Sequence, residues 1–269
     1  MNRRSFDINQ IVGVPDYSVT EFKTKYHKVA LVIPILNEKP RILEQLKRIQ
    51  ILGPDVDVIV VDGGSTDEIE KDLQITEYGL SAFLIKNGNG SLSAQLRVGF
   101  HFCVERGYEF VITMDGNGKD GAEGINTIKD RLEMDFDFVQ GSRFIKGGRS
   151  ENTPISRYLA IRFIHAPLTS LGSRYWFTDS TNGFRGHSLS LLTHPEVQIF
   201  RDEFDSYELL AYLPIMARKV GLTVCEAPVI RRYPVGVATP TKIHGLSSQL
   251  RILLILLKSI IGEYRPKQL

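Results

Sequence analysis

Val29-Ala-Leu-Val-Ile33, followed at once by Pro34-Ile-Leu-Asn37-Glu38, decides how the rest of the chain is read. Its apolar residues show no polar alternation, so both faces of the strand they form must be buried, as in a parallel sheet. Pro40 stands where a helix would begin, and Ile42, Leu43, Leu46 and Ile49 recur at helical spacing until Gly53-Pro54 stops it. Residues 56–61 read as a second strand, and a short helix follows from about Asp67. Ala82-Phe-Leu-Ile85 is a third strand, and Leu92, Leu96, Phe100 and Cys103 mark one face of the next helix. Phe110-Val-Ile-Thr-Met114 and residues 136–140 are the fourth and fifth strands.

Strands and helices alternating at this spacing make βαβ units, hence an α/β fold with a mostly parallel central sheet flanked by helices. Such sheets bind ligands beyond the carboxyl ends of their strands, so chemistry is expected in the residues just after each strand. From about Ser150 the chain is helix-rich and less regular, which suits an acceptor-side region.

The 269 residues suffice for one large domain, and 42% hydrophobic with 24% charged residues excludes a disordered or fibrous chain. Lys and Arg number 33 against 31 Asp and Glu, so no nucleic-acid partner is expected and any anion must be met by local clusters. Cys103 and Cys225 are too few for a disulfide scaffold or a thiolate metal site, and fit a reducing cytoplasm. Met1-Asn-Arg-Arg4 is basic, yet residues 5–16 hold no unbroken apolar run, so a signal peptide is not expected. The longest aliphatic run, Ile252-Leu-Leu-Ile-Leu-Leu257, is far short of the roughly 20 residues that span a bilayer.

Each of three strand-end loops carries a carboxylate: Pro34-Ile-Leu-Asn37-Glu38, Asp62-Gly-Gly64-Ser65-Thr-Asp67 and Asp115-Gly-Asn117-Gly-Lys119-Asp120. Any one alone reads more readily as a turn with a helix cap. Three on one sheet edge point to a ligand site, where glycines let backbone approach closely. Asn87-Gly-Asn-Gly-Ser-Leu-Ser-Ala-Gln95 offers either backbone N–H groups to that ligand or a plain turn capped by Ser91 or Ser93.

These segments resemble family 2 glycosyltransferases, which have the GT-A fold. Residues 29–38 are similar to that family's opening Pro-x-x-Asn-Glu, and Val60-Val-Asp62-Gly-Gly-Ser-Thr-Asp67 to its nucleotide loop. Thr113-Met-Asp115 sits where the family has a metal-binding Asp-x-Asp. Gly141-Ser-Arg143-Phe-Ile-Lys-Gly-Gly148 and Thr181-Asn-Gly183-Phe-Arg185 resemble segments of the branch that makes polyprenyl- or dolichyl-phosphate mannose or glucose. The likeness divides the chain into an N-terminal extension (1–27), a GT-A domain (28–245) and a C-terminal apolar helix (246–269).

The resemblance implies an inverting transfer of a hexose from a nucleotide sugar to a polyprenyl phosphate or a related lipid or glycan acceptor, in cell-surface polysaccharide synthesis. Pro34, Asn37, Glu38, Asp62, Gly64, Ser65 and Gln95 would meet the nucleotide sugar. Asp115, with Asn117, would hold Mg2+ or Mn2+, hard cations suited to oxygen donors. Arg143, Arg157, Arg185, Arg232 and Lys242 would meet acceptor or diphosphate phosphates, because guanidinium forks bind phosphate through paired hydrogen bonds. Asp179 and Glu208 are the candidate bases for a hydroxyl acceptor, whereas a phosphate acceptor needs none. Gly63 and Asn117 stand where the family has aspartates, leaving Asp62 and Asp115 as the anionic members of their loops. Asp120 is a substitute ligand or a helix cap.

Three rivals stay open: transfer to a sugar hydroxyl, a non-catalytic nucleotide-sugar-binding protein, and a nucleotidyltransferase, which the Pro-Ile-Leu-Asn-Glu loop argues against. The tail, residues 247–261, reads as a helix apolar nearly all round. Burial or a homodimer contact is expected ahead of peripheral attachment at the inner face of the cytoplasmic membrane.

Overall fold

A computed structural model describes residues 13–73, 78–234, 236 and 245–266. Along the chain come β1 (Tyr17–Glu21), β2 (Val29–Ile35), α1 (Lys39–Leu52), β3 (Asp57–Asp62), α2 (Ile69–Leu73), β4 (Ala82–Lys86), α3 (Leu92–Glu105), β5 (Phe110–Thr113), α4 (Gly124–Glu133) and β6 (Phe138–Ser142). The second half adds β7 (Arg149–Glu151), α5 (Ile155–Ala160), a π-helical turn (Ile161–His165), α6 (Ala166–Ser173), β8 (Arg185–Ser188), α7 (Leu189–Leu192), α8 (Glu208–Lys219), β9 (Val224–Pro228), β10 (Ile230–Arg232) and α9 (Gly245–Ile261).

Eight strands form the main sheet in the order β1-β4-β3-β2-β5-β8-β6-β9. β2, β3, β4 and β5 run parallel, as does the pair β6–β9, while β1 and β8 are antiparallel to their neighbours. This is the α/β architecture expected from the strand pattern. β5 and β6 do not pair directly, because β8 lies between them. Arg185-Gly-His-Ser188 has none of the β-branched residues that announce a strand; its partners on both sides hold it there.

Burial on both faces of β2 follows from its apolar run. Ala30 and Val32 enter a core beneath α3, α7 and α8, while Leu31, Ile33 and Ile35 enter one beneath α1, α2 and α4. Gly53 ends α1 in the left-handed conformation (φ 60°), its N–H bonded to the Ile49 carbonyl. α9 packs against α6 and α8, burying Ile255 and Leu256. Gly172 permits that approach, since a Cβ there would stand 2.8 Å from Ile260.

His187 on β8 is buried between the rings of Phe100 and Phe138, and its Nδ1 has no hydrogen-bond partner. Burial, with the nearby Arg185 charge, pushes its pKa from 6.5 down to about 3. The unfolded chain therefore takes up this proton first, so stability contributed by neutral His187 is full above pH 6.5 and is lost as pH falls towards 3. Urea denaturation of His187→Phe should show a shallower acid loss over that window than the parent; equal slopes would refute the assignment.

Candidate active site

The loops after β2 and β3 are spliced by side chains. Asn37 adopts a left-handed backbone (φ 52°), which asparagine tolerates. Its N–H donates to Ser65 Oγ and its Oδ1 accepts from the Thr66 N–H, both at 2.8 Å. Asp62 accepts from the Ser65 N–H at 3.0 Å and from its hydroxyl. Behind them, Gln95 of α3 donates to the Ile35 and Val61 carbonyls at 2.7 and 3.2 Å. A Cβ on Gly63 would lie 2.7 Å from Gln95 Nε2, so an aspartate there would displace the Gln95 amide.

A second buried glutamine positions the loop after β5. Gln45 of α1 donates to the Asp115 carbonyl and accepts from the Gly118 N–H, each at 3.0 Å. From the other side, the Gly121 N–H bonds the Ile230 carbonyl and the Arg232 N–H bonds the Lys119 carbonyl, joining the loop to β10. The Asp115 carboxylate is thus presented at a fixed place. A side chain at Gly183 would meet Asp115 Oδ1 and push that carboxylate from its place, so glycine in the Thr181-Asn-Gly-Phe-Arg185 segment leaves it room.

Arg231 of β10 is the centre of charge. Its Nη1 lies 2.7 Å from both oxygens of buried Asp120, and its Nη2 lies 2.8 Å from Asp115 Oδ2. Burial pushes the Asp115 carboxyl up, but the Arg231 and Lys119 charges outweigh it and hold the group below the usual carboxylate range. Burial and Arg231 together push Lys119 down to about 8.

Around Tyr233 the cations converge. Arg143 and Arg157 point Nη1 at its hydroxyl, at 3.2 and 3.5 Å, while Lys119 and Arg231 lie 5.4 and 6.0 Å from its ring centre. Burial raises the phenol's pKa, and the three arginines more than offset it.

One cleft of about 530 Å³ joins these parts. Pro34, Glu38 and Gln95 line it, together with Asp115, Asn117 and Lys119 and with Arg143, Arg157, Arg231 and Tyr233. Part of the wall is apolar, with Ala160, Ile161, Leu210, Ile252 and Leu256. Asn37, Asp62, Gly64 and Ser65 form the adjoining loops and do not line it.

Several expected site residues lie elsewhere. Arg185 is fully buried and gives its donors to the carbonyls of Asn182, Leu210 and Ser180, so it braces the floor and offers no fork to phosphate. Arg232 points outward, paired with Glu123 and Glu151 on the surface. Asp179 is sealed in a two-pronged pair with Arg143 (2.6 and 2.8 Å), which removes it as a base. Glu208 starts α8 and accepts from the Ser206 N–H, outside the cleft wall. The N–H groups of Ser91 and Ser93 bond the carbonyls of Asp205 and Ser206 and are not available to a ligand. Lys242 lies outside the described residues.

From the sequence, the Arg231-Arg232-Tyr-Pro segment is expected to supply a phosphate-binding cation through Arg232, whereas Arg231 is the one that lines the cleft; Tyr233, Gln45 and the inward Lys119 are given no role. Arg231-Arg232 on a strand guaranteed one inward and one outward guanidinium, and only the partner Asp120 tells which.

The pattern described as Glycosyl transferase family 2 matches residues 30–192. The chain is 24% identical to the polyprenol monophosphomannose synthase of Mycolicibacterium smegmatis, over 75% of this chain and 76% of that protein. It is 27% identical to the undecaprenyl-phosphate mannosyltransferase of Micrococcus luteus, over 75% and 82%. Among solved structures, the glucosyl-3-phosphoglycerate synthase of Mycobacterium tuberculosis, in complex with Mn2+, UDP and glucosyl-3-phosphoglycerate, superimposes with a TM-score of 0.63. That likeness has 16% identity, covers 97% of this chain and 85% of that one, and establishes the GT-A fold. With the pattern running through the strands and loops that build the cleft, over more than half the chain, this protein is a glycosyltransferase belonging to glycosyl transferase family 2.

Proposed function

We propose that the chain transfers a hexose from a nucleoside-diphosphate sugar to a polyprenyl phosphate. The observation that carries this reading is the joining of four surfaces in one cleft: the Pro34–Glu38 strand end, Asp115, the cations around Tyr233, and an apolar wall. A lipid phosphate matches the last two. The relatives named for polyprenol and undecaprenyl phosphate support the same acceptor.

Carboxylate bookkeeping argues for phosphate over hydroxyl. Among the described residues, the carboxylates lining the cleft are Glu38, paired with Arg41, and Asp115, paired with Arg231. Neither is free as a base for the acceptor, and an acceptor that is already an anion needs none. Its phosphate oxygen would attack the anomeric carbon as the bond to the diphosphate breaks, inverting that centre in a single displacement. Arg143, Arg157 and Arg231 bind and orient the anions, while the apolar wall excludes water.

Asp115 and the Asn117 amide oxygen are the donors available to a divalent cation, and the described residues contain no cluster of three acidic, histidine or cysteine side chains. That set fits Mg2+ or Mn2+, which commonly take one or two protein oxygens and complete their shell from substrate phosphates and water. When bound, the ion supplies Lewis-acid stabilisation of the departing diphosphate. Structural neighbours crystallised with Mn2+ or Mg2+ support this assignment.

The test is incubation with radiolabelled nucleotide sugars, a divalent cation and polyprenyl phosphate. Label should enter the organic phase and vanish with chelator. Nucleotide release that requires a glycan acceptor instead would overturn the acceptor; donor binding without release under any condition would overturn the transfer.

A further inference from the structure

We propose that the outer faces of the α5–π–α6 segment and of α9 form one docking surface for an anionic lipid bilayer. Ten of the sixteen large apolar side chains exposed among the described residues lie in these two stretches, and Trp176 follows just after α6, so the exposure is concentrated. Phe163, Leu171 and Trp176 are 72, 72 and 73% exposed. On α9, Leu250, Leu254, Leu257 and Ile261 make a stripe at helical spacing on the side away from buried Ile255 and Leu256. The two stretches are neighbours, because α9 packs on α6.

Charge identifies the occupant. Residues 152–178 contain Arg157, which faces the cleft, Arg162 and Arg174, and no Asp or Glu; α9 contains Arg251 and Lys258 and no Asp or Glu, with Lys258 paired to Glu263 just after it. Exposed apolar side chains in surroundings with an excess of positive charge match a surface that is anionic outside and hydrocarbon within. An aromatic such as Trp176 suits the boundary between the two. Among the described residues no helix is long and apolar enough to cross a membrane, so the contact is interfacial. A second copy of the chain is the competing occupant, since the α9 stripe also has coiled-coil spacing. The stripe covers only about two heptads, short of the three or four a stable seam needs, and leaves Phe163 and Trp176 uncovered.

Position gives the surface its use. The same helices supply apolar wall to the cleft through Ala160, Ile161, Ile252 and Leu256, so docking would set that wall beside the bilayer. The proposal rests on the lipid-acceptor reading only for this purpose, and the vesicles that test it contain no polyprenyl phosphate.

Full-length chain is floated with vesicles of phosphatidylcholine alone or mixed with phosphatidylglycerol, and its oligomeric state is measured by light scattering. Binding to the mixed vesicles is expected, weaker on phosphatidylcholine and weaker in high salt. Phe163→Glu with Leu171→Glu should lower the vesicle partition by about tenfold or more. Its circular dichroism, and its donor hydrolysis or transfer to a water-soluble short-chain acceptor, should be unchanged. A parent chain that ignores the mixed vesicles overturns the proposal, as does a variant that binds equally well. A parent dimer that Leu254→Glu converts to monomer, without vesicle binding in either, assigns the face to a second copy instead. Loss of lipid labelling with vesicle binding intact would strike the acceptor reading alone.

Discussion

Replacing Asp115 by alanine is expected to lower sugar transfer by about a thousandfold while leaving the fold in place. The fold survives because Arg231, which would lose one partner, keeps both oxygens of Asp120 at 2.7 Å and the Asn182 amide oxygen at 3.1 Å. The backbone of the loop is held independently by Gln45, through the Asp115 carbonyl and the Gly118 N–H. With the side chain 26% exposed and no cavity opened in the core, the stability change should stay within about 1 kcal/mol. Transfer fails for a different reason. In the proposed reading Asp115 is the one anionic donor for the divalent ion, and Asn117 alone is a weak neutral one. Asp115→Asn isolates charge from shape and should fall nearly as far. The direct readout is Mn2+ binding by paramagnetic resonance in the presence of a nucleoside diphosphate, which both variants should lose without unfolding. Full turnover in the alanine variant would falsify the role given to Asp115.

How far the fold could be read depended on whether a segment carries its own instruction. β2, β3, β4 and β5 are apolar runs bounded by turn signals, and each marks its place regardless of its neighbours. Tyr17-Ser-Val-Thr-Glu21 and Arg185-Gly-His-Ser188 carry no such run, and become strands because β4 on one side, and β5 and β6 on the other, supply hydrogen-bond partners. That information is non-local. In the site, the loops could be located because strand ends locate them, but a side chain's direction could not. Arg143, Arg185 and Arg232 look alike as motif arginines. One is tied to buried Asp179 beside the cleft, one is saturated by carbonyls, and one meets surface glutamates. Asp179 and Glu208 looked like bases for the same reason: a carboxylate's partner is invisible until the chain closes around it. Gly63 and Gly183 are the converse, since their meaning lies in the Gln95 and Asp115 side chains that fill the space a Cβ would need.

Adjacent arginines on β10 should give opposite results. Arg232 is 45% exposed and its pairs with Glu123 and Glu151 are screened by water, so Arg232→Met should cost only about 0–1 kcal/mol and leave transfer nearly unchanged. Arg231→Met removes the counter-charge of Asp120, whose side chain is wholly buried, and should cost about 3–5 kcal/mol. Loss of transfer in that variant alone would be ambiguous, because part of the population would be unfolded. The double variant Arg231→Met/Asp120→Asn resolves it. Removing both charges relieves the unpaired carboxylate, so chemical denaturation should show most of the stability returning, a coupling that a double-mutant cycle measures. Transfer should nevertheless stay low, by about a hundredfold or more, if Arg231 serves the developing diphosphate charge as proposed. Its KM for the donor should rise while binding of the free nucleoside stays the same, since only the phosphates face the guanidinium. A double variant that is both stable and fully active would make Arg231 a structural partner of Asp120 and nothing more. A large loss in Arg232→Met would mean that β10 turns the other arginine inward when substrate binds.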